Sequence, residues 1–321
     1  MTYRIDLRFT APVHLGFMDA AYEVSESLIH SDTIFSALVC SHALLYGREE
    51  TNKLFEALVS GRTHLLVSSA FHRINGVRFL PRPKGETFGL DRKLDVSRLK
   101  TIKKIKFVDE EIILHDLRVD EKDICGQYLS KKVELLGSHP QPFVILERAR
   151  VSVGRLNSSS NLFYFAEVHF AQNCGLWFYL SVDESIEKRI FAALKLLSEE
   201  GFGGDRTYGL GSFEYEVSRV ELPKEGEKYL LTSICVPSEE DLKNFSETFL
   251  SYELTTRTGY IYGTDKRSKK VWALTEGSVF SRPINGSLLD VTPEGFESDY
   301  GYRVYRFGKA FLLPFKGGDR G

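Results

Sequence analysis

The sequence predicts an α+β protein, and three observations carry that prediction. The first segment alternates strictly with period two, two later stretches have helical period, and aromatic-rich strands lie between and after them. Tyr3, Ile5, Leu7 and Phe9 alternate with Arg4, Asp6 and Arg8, the signature of a half-buried first strand. Ser31 and Asp32 precede Ile34, Phe35, Leu38, Val39 and Leu45, a capping residue before an apolar stripe, so a first helix is expected there. A shorter amphipathic piece follows around Leu54, Phe55 and Leu58. Leu65 to Phe71 reads as a strand leading through Asn75-Gly76 into Val77 to Leu80, a hairpin.

From Pro81 to about residue 160 the pattern breaks into short charged and apolar fragments punctuated by Pro81, Pro83, Pro140 and Pro142, as expected of an insertion. Leu162 to Phe170 and Leu176 to Val182 are aromatic-rich strands, expected to pair across Asn173, Cys174 and Gly175. Ile186, Ile190, Ala193, Leu194 and Leu197 share a helical face that Gly201 ends, and Ser212 to Val220 is a further strand. With the insertion set aside, the order is strand, helix, strands, helix, strand. That order suits a ferredoxin-like (RRM-like) sheet with helices on one face. Residues 1–220 are therefore read as a first ferredoxin-like module with an insertion at about 81–160, and 221–321 as a second. In the second, Tyr229 to Val236 begins as a strand, Ser238 precedes a helical stretch through Leu250, and Gly259 to Val279 supplies further strands.

Composition limits the function. Cys40, Cys125, Cys174 and Cys235 are scattered without a CxxC pair, so neither a zinc knuckle nor a disulfide framework is suggested. No run of eighteen apolar residues occurs and the amino terminus enters a strand directly, which predicts a cytoplasmic protein without a membrane segment. His115-Asp116 lacks the further ligands of a metal site, and neither a metal nor a cofactor is expected. The formal net charge is -2, so any nucleic-acid site must be local.

The sharpest local feature is Gly201, Gly203, Gly204, Asp205, Arg206, Gly209 and Gly211, between a predicted helix and a predicted strand. A dinucleotide fingerprint runs from strand through glycines into helix, and a Walker loop ends in Gly-Lys-Ser/Thr, so this loop is neither. Glycines let main-chain N–H groups approach phosphate oxygens, and Arg206 adds charge; a surface turn without a ligand fits the same spacing. Arg148, Arg150 and Arg155 flank a polar run before the aromatic strand, either to meet an RNA backbone or to pair with neighbours such as Glu147. Arg257, Lys269, Lys270, Arg303 and Arg306 recur among glycines of the second module and suit a second phosphate surface. Tyr260, Tyr262, Trp272 and Tyr305 are placed either to stack on bases or to pack in the core.

The glycine loop resembles the RAMP superfamily of CRISPR proteins. So do HSDTIFSALV from His30, LTTRTGYIYG from Leu254, KKVWALTEGSVF from Lys269 and VYRFGKAFLLP from Val304. Within it the sequence is similar to the Csm-family subunit of type III-A effectors that holds the 5′ tag of the guide RNA. The resemblance implies a non-catalytic subunit that anchors the crRNA 5′ tag, joins a large polymerase-like subunit to the backbone RAMP subunit, and meets target RNA indirectly. It implies that His30, Ser31 and Asp32 sit near bound RNA, and that the insertion carries a thumb against the guide–target duplex. His14, after the first strand, is read as an RNA contact or structural histidine. The competing class is a RAMP endoribonuclease that processes precursor crRNA, with His14 or His30 as general base.

Overall fold

A computed structural model describes residues 1–16, 22–90, 96–137, 140–154 and 159–317. The chain opens with β1 (Thr2–Phe9), α1 (Ser31–Val59), β2 (Leu65–Val67), β3 (Phe71–Ile74) and β4 (Val77–Pro81). There follow α2 (Val96–Lys104), β5 (Phe107–Asp109), α3 (Glu110–His115), β6 (Ile124–Cys125), β7 (Tyr128–Leu129) and α4 (Val133–Leu136). Next come β8 (Phe143–Val153), β9 (Ser160–Phe170), β10 (Cys174–Val182), α5 (Glu184–Glu200) and β11 (Phe213–Arg219). The C-terminal part holds β12 (Lys228–Leu231), α6 (Glu239–Leu242), α7 (Phe245–Thr248), β13 (Phe249–Ser251), β14 (Leu254–Arg257) and β15 (Val271–Leu274). It ends with β16 (Val279–Phe280), β17 (Gly286–Asp290), α8 (Phe296–Tyr300), β18 (Tyr305–Lys309) and β19 (Leu312–Phe315).

The main sheet runs β11-β1-β10-β3-β4-β5-β7-β6, with β2 also on β10. Ile5 of β1 lies between Phe178 of β10 and Val217 of β11, both antiparallel to it. Leu176, Phe178 and Leu180 face the helices and meet Ile34, Phe35 and Leu38 of α1 with Ile190 and Leu194 of α5. Trp177 and Tyr179 point the other way, into a cluster with Phe79, Val108 and Tyr128 that Leu230 and Leu313 of the C-terminal part complete. Each such buried side chain contributes roughly 1.5–3 kcal/mol.

Three expectations change here. β9 does not pair with β10; it pairs with β8 from Phe143↔Phe170 to Val153↔Ser160, and β10 enters the sheet between β1 and β3. The reason is burial: β10 is apolar on both faces and takes the sheet centre, whereas β9 is largely exposed over its first half. The insertion, read from sequence as short fragments, contributes regular strands: β5, β7 and β6 lengthen the main sheet. The strand expected over Leu65 to Phe71 is split at Ser68 and Ser69. Ser68 Oγ accepts from Tyr179 N–H at 2.8 Å, and Ser69 N–H turns away to Thr232 O at 2.8 Å. Gly47, at φ 82°, kinks α1 and accounts for the separate amphipathic piece around Leu54.

The C-terminal part contains a sheet ordered β13-β16-β12-β19 and two hairpins, β14–β15 and β17–β18. Its small core gathers Leu231, Cys235, Phe249, Leu274, Phe280 and Ile284. Ser238 caps α6 through a reciprocal box with Asp241, but the helical stretch expected through Leu250 breaks into two single turns. Among the described residues no helix is long and apolar enough to cross a membrane.

Candidate nucleic-acid interface

α5 stops where Gly201 leaves helical geometry at φ 85° while its N–H still donates to Leu197 O at 2.8 Å. The loop beyond folds onto the segment leaving β1. Gly204 N–H donates to His14 O at 3.0 Å, Gly211 N–H to Pro12 O at 2.8 Å, and Phe202 N–H to Gly211 O at 3.0 Å. Only glycine allows this closeness: a Cβ on Gly203 would stand 2.0 Å from His14 O, and one on Gly211 2.0 Å from Phe202 O. The expectation that the main chain of Gly201, Gly204 and Gly211 cradles phosphate is therefore corrected, because protein carbonyls already take these donors. The outer lobe is different. Asp205 is left-handed at φ 56°, Arg206–Tyr208 form a single 3-10 turn, and a Cβ on Gly209 would meet nothing within 4 Å.

Around this lobe several predicted residues converge. The Arg206 guanidinium lies 5.0 Å over the ring of Tyr262, so the loop touches the C-terminal part. Arg150, from β8, stacks 4.0 Å over Phe165, pairs with Asp205, and donates to Glu167 Oε1 at 3.2 Å. Arg148 is mostly exposed, 3.7 Å from the same buried Glu167. His14 Nδ1–H donates to Ala166 O at 2.8 Å, and its ring lies 4.3 Å from that of Phe165. Arg155 lies outside the described residues.

The HSDT segment builds something else. Ser31 and Asp32 are fully buried. Ser31 does not cap α1 with its side chain; its Oγ accepts from Ile234 N–H at 2.9 Å, and its N–H donates to Ser69 Oγ at 2.9 Å. Asp32 is gripped by two nearly buried arginines: Arg257 Nη2 donates to Oδ1 at 2.9 Å and Nε to Oδ2 at 3.0 Å, and Arg306 Nη1 donates to Oδ2 at 2.9 Å. Burial would raise the Asp32 carboxyl, but Arg257 and Arg306 hold it well below the usual carboxylate range. His30 donates from Nδ1 to Glu276 at 2.7 Å, with Glu26 3.1 Å from Nε2. Burial alone would lower its pKa; Glu276 and Glu26 push it up to about 10. Ser69 also bonds Glu276. Two sequence expectations are corrected by this seam. Ser31 has no exposed atom to offer RNA, and Arg257 and Arg306, expected on a phosphate surface, turn inward to the Asp32 carboxylate.

Lys269 and Lys270 are exposed. Arg303 is exposed but pairs with Glu297 at 2.9 Å and Asp290 at 3.8 Å. Tyr305 is a packing ring, stacked 5.0 Å from Phe55. Sequence reasoning missed Ser69, Glu276 and Glu26 as partners of the HSDT segment, since isolated Ser and Glu carry no spacing signal and meet it only through the fold.

Comparison with known proteins places this architecture. A family model described as the CRISPR Csm4 C-terminal domain matches residues 224–315. The Csm4 protein of the Methanocaldococcus jannaschii CRISPR system is 26% identical, over 96% of each chain. A chain of a crystallised Csm3–Csm4 subcomplex from a type III-A interference complex superposes with a TM-score of 0.66 at 22% identity, over 98% of this chain and 99% of that one. A chain of a Csm1–Csm4 cassette crystallised with cA4 gives 0.63 at 17%, over 99% of each. The chain thus shares its fold end to end with these structures, and the curated relative it resembles is a protein of a CRISPR system. Within these likenesses, residues 224–315 match the Csm4 C-terminal family model, and the chain as a whole is similar to Csm4 proteins.

Proposed function

We propose that this chain is a cytoplasmic, non-catalytic subunit of a type III-A CRISPR interference complex. It anchors the crRNA 5′ tag and bridges the large polymerase-like subunit to the backbone RAMP subunit, with target RNA met indirectly. The observation that carries the reading is end-to-end likeness to chains from assemblies containing Csm3 and Csm1. The strand orders support two ferredoxin-like modules, 1–220 and 221–321. In β11-β1-β10-β3 and again in β19-β12-β16-β13, the fourth strand of the unit lies beside the first, the first beside the third, and the third beside the second. In the second unit α6 with α7, and then α8, occupy the helix positions, and the two hairpins are additions.

The RNA would lie along the outer lobe of the glycine loop, where Arg206, Tyr208, Arg148 and the second module meet. Binding is favoured over cleavage because His30 is an imidazolium at neutral pH, held by two carboxylates, and has no lone pair to accept a 2′-hydroxyl proton. The test is reconstitution with the two partner subunits and guide RNA, followed by crosslinking and by incubation with repeat RNA with and without EDTA. Crosslinks from the tag to the Gly201–Gly211 loop and no cleavage are expected. Specific cleavage abolished by His14→Ala, or guide crosslinks wholly elsewhere, overturns the reading. Arg206→Ala is expected to weaken tag binding by about 1–3 kcal/mol, as loss of a charge-assisted contact.

A further inference from the structure

The hairpin begun by β14 and β15 extends well past its ladder. Below the pair Arg257↔Val271, Ser268 N–H donates to Gly259 O at 2.9 Å and Ile261 N–H to Lys266 O at 2.8 Å. Residues 254–274 therefore form one continuous arm. Its tip carries Tyr260 and Tyr262, and its return limb reads Lys266, Arg267, Ser268, Lys269, Lys270 before Trp272. The three rings are 69%, 56% and 66% exposed. Large rings left in water on one short arm mark a binding surface more than a packing one.

Two of those rings already have a guanidinium against them: Arg267 lies 4.7 Å from the Tyr260 centroid, and Arg206 5.0 Å from that of Tyr262. A delocalised cation over a ring holds it in place without removing it from solvent. The base of the arm is fixed as well. Arg257 is locked to Asp32, and Arg306 reaches from Asp32 to Ser268 Oγ at 2.9 Å, so the buried seam sets where the arm projects. The rings need little ordering when something binds.

We propose that this arm, together with Arg206, is a base-stacking platform for single-stranded RNA. Tyr260 and Tyr262 take unstacked bases, and Lys266, Lys269 and Lys270 meet the phosphates between them. The proposal rests on the RNA-binding reading above and deepens it by naming the unstacked base as the group recognised. Charge decides for RNA over a protein partner. Among the described residues no carboxylate makes a close ion pair with these three lysines, Asp290 acting on Lys269 only from a distance, in a chain whose net charge is -2. Protein interfaces are depleted in lysine at their centres, whereas interleaved aromatic and basic side chains suit a single strand.

The test uses the full chain and two oligoribonucleotides of tag length, one with bases and one abasic, in anisotropy titrations across a salt series. Tyr260→Leu and Tyr262→Leu are each expected to weaken binding of the base-bearing strand about tenfold. Tyr262→Phe, which keeps the ring, should bind as wild type. The abasic strand should bind every ring variant alike, and the salt slope should not move, because the rings carry no charge. Lys269→Ala with Lys270→Ala should instead flatten the slope for both strands. If wild type binds the base-bearing strand and the leucine variants match it, the platform is refuted while the RNA-binding reading stands. If wild type binds neither strand, both fall. Release of the large subunit by the leucine variants with RNA affinity unchanged would make the arm a protein interface and also refute the platform.

Discussion

Asp32→Ala would leave two guanidiniums, Arg257 and Arg306, facing one another without the carboxylate both of them grip, while Glu26 and Glu276, which also act on Arg257, are already engaged by His30. Both are nearly buried, and the carboxylate they lose is wholly so. Removing one member of such a buried ion group costs about 3–5 kcal/mol, because what remains is uncompensated buried charge. Against a domain stability of about 5–15 kcal/mol the variant should still fold but be much weakened. In urea, with a slope of about 3 kcal/mol per molar, the midpoint should fall by about 1–1.7 M. The sign with pH is fixed by direction. Asp32 has a depressed folded pKa, so its contribution is present above the unfolded value near 4 and declines as pH falls toward the folded one. The gap between wild type and variant should therefore be constant from pH 5 to 7 and shrink on acidification below about 4. A control separates charge from space: Asp32→Leu with Arg257→Met and Arg306→Leu should recover most of the lost stability, since an apolar replacement of the whole group is often neutral. A midpoint within about 0.3 M of wild type for Asp32→Ala would refute the reasoning.

The His30–Glu276 contact predicts the opposite slope. Its raised pKa makes its contribution complete below about 6.5 and lost as pH rises through about 10. Urea midpoints of wild type and His30→Gln should accordingly converge between those values, and parallel curves would contradict the assignment. Gly203→Ala must put a Cβ into the His14 carbonyl at φ 83° and should cost at least about 2 kcal/mol by thermal melting. Gly209→Ala has the same φ but open space and should cost about 1 kcal/mol; equal losses would show that backbone strain alone matters.

Much of the fold was legible because it rests on local periodicity. Alternation in Tyr3 to Phe9 and the stripe of Ile190, Ala193, Leu194 and Leu197 are facts about one segment and one surface. The pairing of β9 was misjudged because two adjacent aromatic strands look like a hairpin, and only three-dimensional burial tells that β10 is needed between β1 and β3. The site divides in the same way. Glycine density points to a tight loop after α5, but spacing cannot distinguish a glycine that admits a ligand from one that admits another stretch of backbone, as Gly203 and Gly211 do. Arginine count likewise cannot say which way a guanidinium turns. Arg206 reaches out to Tyr262, whereas Arg257 and Arg306 turn inward to an aspartate more than two hundred residues away in the chain.

The position of β1 has a consequence for biosynthesis. β1 sits between two strands of its sheet that are made long after it, one starting at Cys174 and the other at Phe213. At about 5–20 residues per second a ribosome needs roughly 10–40 s to deliver both partners. Throughout that interval β1 is an unmatched strand with one apolar face, and translation that stalls before Arg219 leaves its edges a ready template for aggregation.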